Sequence, residues 1–256
     1  MNPIHILSLG AGVQSSTLAL MAAAGEVLPM PVAAIFADTG DEPKEVYVWL
    51  EKLRGMLPFL IHTVSRSRLS EHILEWGHSQ IPCFTRSDET GKATLGKRQC
   101  TKHWKIVPIQ NGMRAATGLK RVKLSAGHFV SWIGISTDEA DRIKDSRVRW
   151  IKNRYPLIEK KMSRRDCQKW LAHRGLVVPK SACVYCPLRA PRQFRATKDA
   201  GGYDWETVLR VSRILEARGE FLTSSLLPID QVAFSTEEER GQGSAFGNEC
   251  EGMCGV

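Results

Sequence analysis

IHILSLGAGVQSSTLALMAAAG, residues 4–25, decides the fold. Residues 4–9 are a short, mainly apolar run of the kind that forms a buried strand. Residues 15–24 follow a helical pattern, and Gly25 stops them. Between the two lies a Gly-rich turn. A strand, a glycine turn and a helix in succession point backbone N–H groups and a helix N-terminus at one spot, which suits an anion. Gly10 and Gly12 let a phosphate come close, and Ser8, Gln14, Ser15 and Ser16 add polar side chains around it. A tight strand-to-helix turn with no ligand fits the same pattern. The turn lacks the lysine of an ordinary P-loop, so a standard nucleoside triphosphatase is excluded.

Downstream the pattern repeats. Residues 32–40 (VAAIFADTG) read as a second strand, 42–56 as a helix, 59–65 as a third strand and 69–77 as another helix. This alternation specifies an α/β fold: a Rossmann-like parallel sheet with flanking helices and right-handed crossovers. Residues 78–98 are polar and read as a loop. Residues 101–118 are helical after an irregular start, and 121–127 and 130–136 read as strands. Ser163 caps a helix over 163–174, and two more helices fall near 191–199 and 204–219. A Gly-rich tail starts at Ser235. A core over 1–160 and a smaller helical, basic, Cys-containing region over 161–256 is the expected division.

The chain has 256 residues and a net charge of +9. Residues 142–174 hold 12 Lys or Arg against 3 Asp or Glu, while the remainder balances. Such a segment is the usual footprint for a polyanion, and a solvated helical face is its plainer alternative. Within it Arg147, Arg149, Lys152 and Arg154 interleave with Trp150 and Tyr155, close to Trp132, as in surfaces that stack bases beside a phosphate backbone. Core packing of each Trp is the competing explanation. No apolar run reaches the roughly 20 residues of a membrane span, and the start lacks a signal-peptide pattern. A cytoplasmic protein is expected. In that reducing setting the seven cysteines read as metal ligands, reactive thiols or core residues rather than disulfides. Cys83 and Cys167 have no spaced partner. Cys183-x-x-Cys186-Pro puts two thiols on one turn, suited to zinc or an iron–sulfur cluster.

Taken in order, several segments resemble the PP-loop superfamily, in particular PAPS-reductase-like proteins of phages and mobile elements. Residues 10–15 resemble the S-G-G-x-D-S loop, with glycine for the first serine and Gln14 for the aspartate. Residues 37–40 (ADTG), 98–109 (RQCTKHWKIVPI), 134–144 (GISTDEADRIK), 155–158 (YPLI), 183–187 (CVYCP) and the tail ECEG (249–252) resemble further family segments. The resemblance implies a PP-loop core of the HUP type that binds a nucleotide, with Asp38, Thr39 and Arg142 joining the Gly-rich turn. It implies a cluster, of 4Fe-4S type, on Cys100, Cys183 and Cys186. Family members carry adjacent cysteines where this chain has Gln99 and Cys100, so Cys250 or Cys254 becomes the fourth ligand, or one iron stays open. Zinc is the alternative occupant. The missing PP-loop aspartate puts ATP and Mg²⁺ chemistry in question.

Asp38, Glu139 and Cys250 are the candidate catalytic groups. Asp38 suits a ribose, Mg²⁺ or a reacting water, and equally a helix N-cap. Glu139 and Arg142 stand one helical turn apart and can simply pair. Three enzyme classes follow. One modifies DNA, or another nucleic acid, by ATP-dependent sulfur transfer, with a sulfur-donor or reductase protein as partner. One excises a flipped base without ATP, as in phage defence. One reduces a sulfonucleotide. A cluster-stabilised binding protein is the non-enzymatic reading.

Overall fold

The computed structural model describes residues 2–77 and 80–234. From Ile4–Leu9 (β1) the chain runs through Val13–Ala23 (α1), Ala33–Ala37 (β2), Lys44–Arg54 (α2), Leu60–Val64 (β3) and Leu69–Trp76 (α3). A small antiparallel hairpin, Phe84–Arg86 (β4) with Ala93–Leu95 (β5), precedes a π-helical turn, Thr101–Ile106, that continues into Val107–Ala116 (α4). Then come Phe129–Ile133 (β6), a 3-10 turn at Thr137–Arg142, Ile151–Arg154 (β7), Pro156–Glu159 (α5), Arg164–Ala172 (α6), Pro191–Ala200 (α7) and Gly202–Glu216 (α8).

Five strands form one parallel sheet in the order β3-β2-β1-β6-β7. The expected α/β Rossmann-like class is therefore present. β1 lies in the middle, paired on both edges and covered on both faces, which is why its sequence is mainly apolar. Side chains alternate between faces. Leu7, Leu9, Ala34 and Phe36 pack with α1, α2 and α6. Ile6, Ala33, Ile35 and Ala37 pack on the other face with Ile109 and Met113 of α4. Gly112 sets how closely α4 approaches: a Cβ there would stand 2.8 Å from Val64 Cγ1 and 2.9 Å from Ile35 Cγ2. Strand order reverses direction at the β1–β6 pair, and ligands of such sheets bind outside the strand carboxyl ends at that point.

A further apolar cluster joins Leu69, Ile73 and Trp104 to Cys183–Cys186, Phe194 of α7 and Val208, Val211 and Leu215 of α8. It is built from both sides of residue 160. Among the described residues no helix is long and apolar enough to cross a membrane.

Three segments differ from expectation. Residues 121–127 form no strand: Arg114 Nη1 donates to the carbonyls of Leu119, Lys120 and Val122 at 3.1–3.2 Å and holds the chain in a loop. The polar stretch 78–98 contains the β4–β5 hairpin, which pairs Thr85 with Thr94. IKNR, polar in sequence, forms the edge strand β7, where charged side chains protect an open edge.

Candidate functional site

The Gly-rich turn sits at the carboxyl end of β1, at the switch point. Its left-handed residue is Ala11, with φ 57°, flanked by two glycines. A non-glycine there costs roughly 1–2 kcal/mol, and such strain gathers where a loop has a task. The Gly10 N–H donates to Ser15 Oγ at 3.2 Å, which leaves the Ser15 hydroxyl at the turn. Ser8 and Ser16 are otherwise engaged. Ser8 Oγ meets Ser131 Oγ at 2.9 Å between β1 and β6, and Ser16 Oγ accepts from Trp49 Nε1 at 2.9 Å on the core side of α1.

Gln14 is wholly buried. Its Nε2 donates to Ser136 Oγ (2.9 Å) and Glu139 Oε2 (2.7 Å), and its Oε1 accepts from Arg164 Nη1 (2.8 Å). Glu139 also pairs with Arg142. Burial pushes the Glu139 carboxyl up from its usual range, against the pull of Arg142. The amide thus ties the Gly-rich turn to the 3-10 turn after β6 and to α6. Gly134 makes the joint possible, because a Cβ there would stand 2.9 Å from the Ser15 backbone nitrogen. Sequence reading gave neither Gly134 nor Arg164 a role; a glycine straight after an apolar strand was the available signal.

Asp38 follows β2. Its Oδ1 accepts from the Gly40 N–H at 2.7 Å and from the Tyr47 hydroxyl at 2.9 Å, so the carboxylate organises the turn into α2. The next four residues grip the cysteine loop. Thr39 Oγ1 lies 3.1 Å from Cys183 Sγ. The Val184 N–H donates to the Asp41 carbonyl at 2.8 Å, and Tyr185 OH donates to Asp41 Oδ2 at 2.6 Å. Ser181 Oγ donates to Glu42 Oε2 at 3.0 Å. Asp41, Glu42 and Tyr185 were not singled out from sequence, although Asp41 and Glu42 directly follow the DTG segment.

Cys183 and Cys186 are buried, and Cys100, the residue before the π-helical turn, packs against the same cluster. Burial pushes both Cys183 and Cys186 thiols up, Cys183 well above its ordinary value; Lys105 opposes this at Cys183 and Arg98 at Cys186. Lys105, 9% exposed, stands 3.5 Å from Glu42 Oε1. Burial pulls its ammonium down, but Glu42, Cys183 and Cys100 outweigh that and leave it above its ordinary value. No three His, Cys, Asp or Glu side chains among the described residues could hold a single metal ion. In a cluster each thiolate binds a different iron, so the sulfurs stand wider apart than around one ion. Cys100, Cys183 and Cys186 share one apolar cluster, with Lys105 and Arg98 placed to offset thiolate charge, which is the donor chemistry such a group would need. Cys250 and Cys254 lie outside the described residues.

The basic segment divides. Arg147 lines a cavity of about 500 Å³ beside the π-helical turn. Lys152 and Arg154 line another, of about 590 Å³, at the opposite end of β7. Arg154 is tied to Glu159 (2.7 Å) and to the Leu28 carbonyl (2.8 Å), and it covers the Trp132 ring at 4.7 Å. The Arg149 carbonyl accepts from the Gly127 N–H. Trp132 is fully buried and Trp150 packs against the α4-side cluster, so both follow the core-packing alternative.

No family model matches the chain, and no curated protein matches it. Among solved structures it is similar to phosphoadenylyl-sulfate (PAPS) reductase from Candida auris in its phosphate complex. The identity is 16% and the TM-score 0.46, over 71% of this chain and 76% of that one.

Proposed function

We propose that the chain is a nucleic-acid-modifying enzyme that holds a substrate phosphate on the turn at residues 10–15 and an iron–sulfur cluster on Cys100, Cys183 and Cys186. The observation that carries this reading is the grip of residues 39–42 on the cysteine loop, through Thr39 on Cys183 and Asp41 on Val184 and Tyr185. That segment follows β2, the parallel neighbour of β1, so the cysteine loop is held at the same end of the sheet as the Gly-rich turn. When bound, the cluster supplies electron transfer or an open iron. The backbone N–H groups of the turn orient the phosphate. Lys105 and Arg98 balance thiolate charge. Asp38 is the carboxylate assigned to the chemistry, because Gln14 is neutral and Glu139 is engaged by Arg142. A nucleic acid is the favoured polyanion, given the concentrated positive charge of residues 142–174, and DNA is the form tested.

One observation favours base removal without ATP as a second reading. Both ends of the Gln14 amide are engaged within the protein, so this position offers no acid to a nucleotide-bound Mg²⁺.

Anaerobically purified protein is expected to be brown, with iron and labile sulfide, and Cys183→Ser is expected to bleach it. Stoichiometric zinc without iron would sink the cluster. The same preparation, supplied with a persulfide as sulfur donor and a thiol as reductant, is incubated with DNA with and without ATP and Mg²⁺, and product mass separates the chemistries. Sulfur gained only with ATP supports sulfur transfer, and abasic sites without ATP support base removal. Sulfite released from a sulfonucleotide, with DNA untouched, moves the chain to the reductase class.

A further inference from the structure

The cavity beside the π-helical turn shares no residue with the Gly-rich turn, and it borders the cysteine site, with which it shares Arg98. It measures about 500 Å³, within the range of small-molecule sites. Arg98, Lys102, His103 and Arg147 line it, with Ile106 and Val148 as apolar wall, and no carboxylate is among its lining residues. Lys102 and Arg147 have no ion-pair partner among the described residues. A concave surface walled by cations and lacking any acid attracts an anion, and its low-dielectric walls concentrate the field.

The wall has a second property. The π-helical turn has two faces: Trp104 and Lys105 are buried away from the cavity, whereas Thr101, Lys102, His103 and Ile106 line it. π-Helical turns are rare and occur often at functional sites. Here the turn aims one lysine at the thiols and the other at the cavity. The opposite wall, Ser146–Val148, comes from the basic segment before β7. Two parts of the chain with positive charge thus meet across one hollow.

We infer that this cavity is a phosphate-binding site, which holds a backbone phosphate of a nucleic acid or the phosphate of a free nucleotide. Arg147 and Lys102 make the charged contacts, and Ile106 and Val148 lie against the sugar or base. The inference deepens the proposed function, since it gives the polyanion a place to bind. It does not depend on the cluster.

The test is binding of a fluorescent DNA oligonucleotide, and separately of AMP, to the full chain over a series of salt concentrations. Arg147→Glu and Lys102→Glu are compared with Lys52→Glu, an equal charge change on the exposed side of α2, outside the basic segment. Each cavity variant is expected to weaken DNA binding by about tenfold and to lower the salt slope by about one unit, the loss of one phosphate contact. Lys52→Glu is expected to match the parent. Arg147→Gln, milder in charge and on an exposed loop, repeats the comparison should the reversal unfold the chain. Loss of DNA binding with no AMP binding in the parent identifies a backbone phosphate, and parallel loss of both identifies a nucleotide. Equal weakening by Lys52→Glu, or binding indifferent to Arg147 and Lys102, overturns the site. Iron and sulfide content, measured on the same samples, reports separately on the cluster.

Discussion

Gln14 shows why a single residue decides what the turn can do. An acid here would hold a metal; the amide instead gives two hydrogen bonds to the 3-10 turn and takes one from Arg164. Gln14→Asp removes both donors and sets a second carboxylate against Glu139. With hydrogen bonds to charged groups contributing about 1.5–3 kcal/mol, the variant is expected to lose about 2–3 kcal/mol in urea unfolding and to gain no ATP turnover. Unchanged stability together with new pyrophosphate release would mean that the amide is only a lapsed acid. The presence of a glutamine at this position was plain from the sequence. Its partners were not, because Ser136 and Glu139 are brought to it by the β1–β6 pairing and Arg164 by the packing of α6 on α1. Asp38 behaved likewise: its place at the end of β2 was legible, and its bonds to Gly40 and Tyr47 needed coordinates.

Among the elements, the long periodic ones were read well, since α1, α2, α3 and the first three strands are set by apolar spacing and Gly or Pro stops. Elements without an apolar signature were missed: β7 is half charged, and the β4–β5 hairpin is short and polar. Two glycines show how elements are held at close range. In α4, Gly112→Ala gains about 1 kcal/mol of helix propensity but drives a methyl onto Val64 and Ile35, and overpacking costs typically about 1–3 kcal/mol. The clash is expected to win, for a net loss of about 1 kcal/mol. After β6, Gly134→Ala meets backbone at Ser15, which cannot rotate away as a side chain can. Its urea midpoint is expected to fall further than that of Gly112→Ala. The reverse order would mean that the Gly-rich turn yields more easily than the sheet face does.

For the whole molecule, acid stability rests partly on His5 beneath the centre of the sheet. Trp132 Nε1 donates to His5 Nδ1 at 2.9 Å, which requires that nitrogen to be unprotonated. Burial, and then the nearby Arg154, lower the imidazole below its ordinary 6.5. As pH falls through 6.5 the unfolded chain takes up the proton first, so this contribution is complete above 6.5 and is lost below it. Glu139, raised by burial, acts in the opposite sense at lower pH. The difference between parent and His5→Asn therefore isolates the histidine: the fall in Tm from pH 7 to 5.5 is expected to be shallower in the variant. Equal falls would remove His5 from the account.

The central position of β1 has a consequence for how the chain is made. Ser8 and its neighbour Ser131 are 123 residues apart, and synthesis proceeds at about 5–20 residues per second. For roughly 6–25 seconds after β1 leaves the ribosome, one edge of the central strand has no mate, although β2 and β3 follow it early. A nascent chain in that interval exposes a sheet edge that other nascent chains can join. Chaperone capture, or a pause in translation, would have its greatest effect on yield during that window.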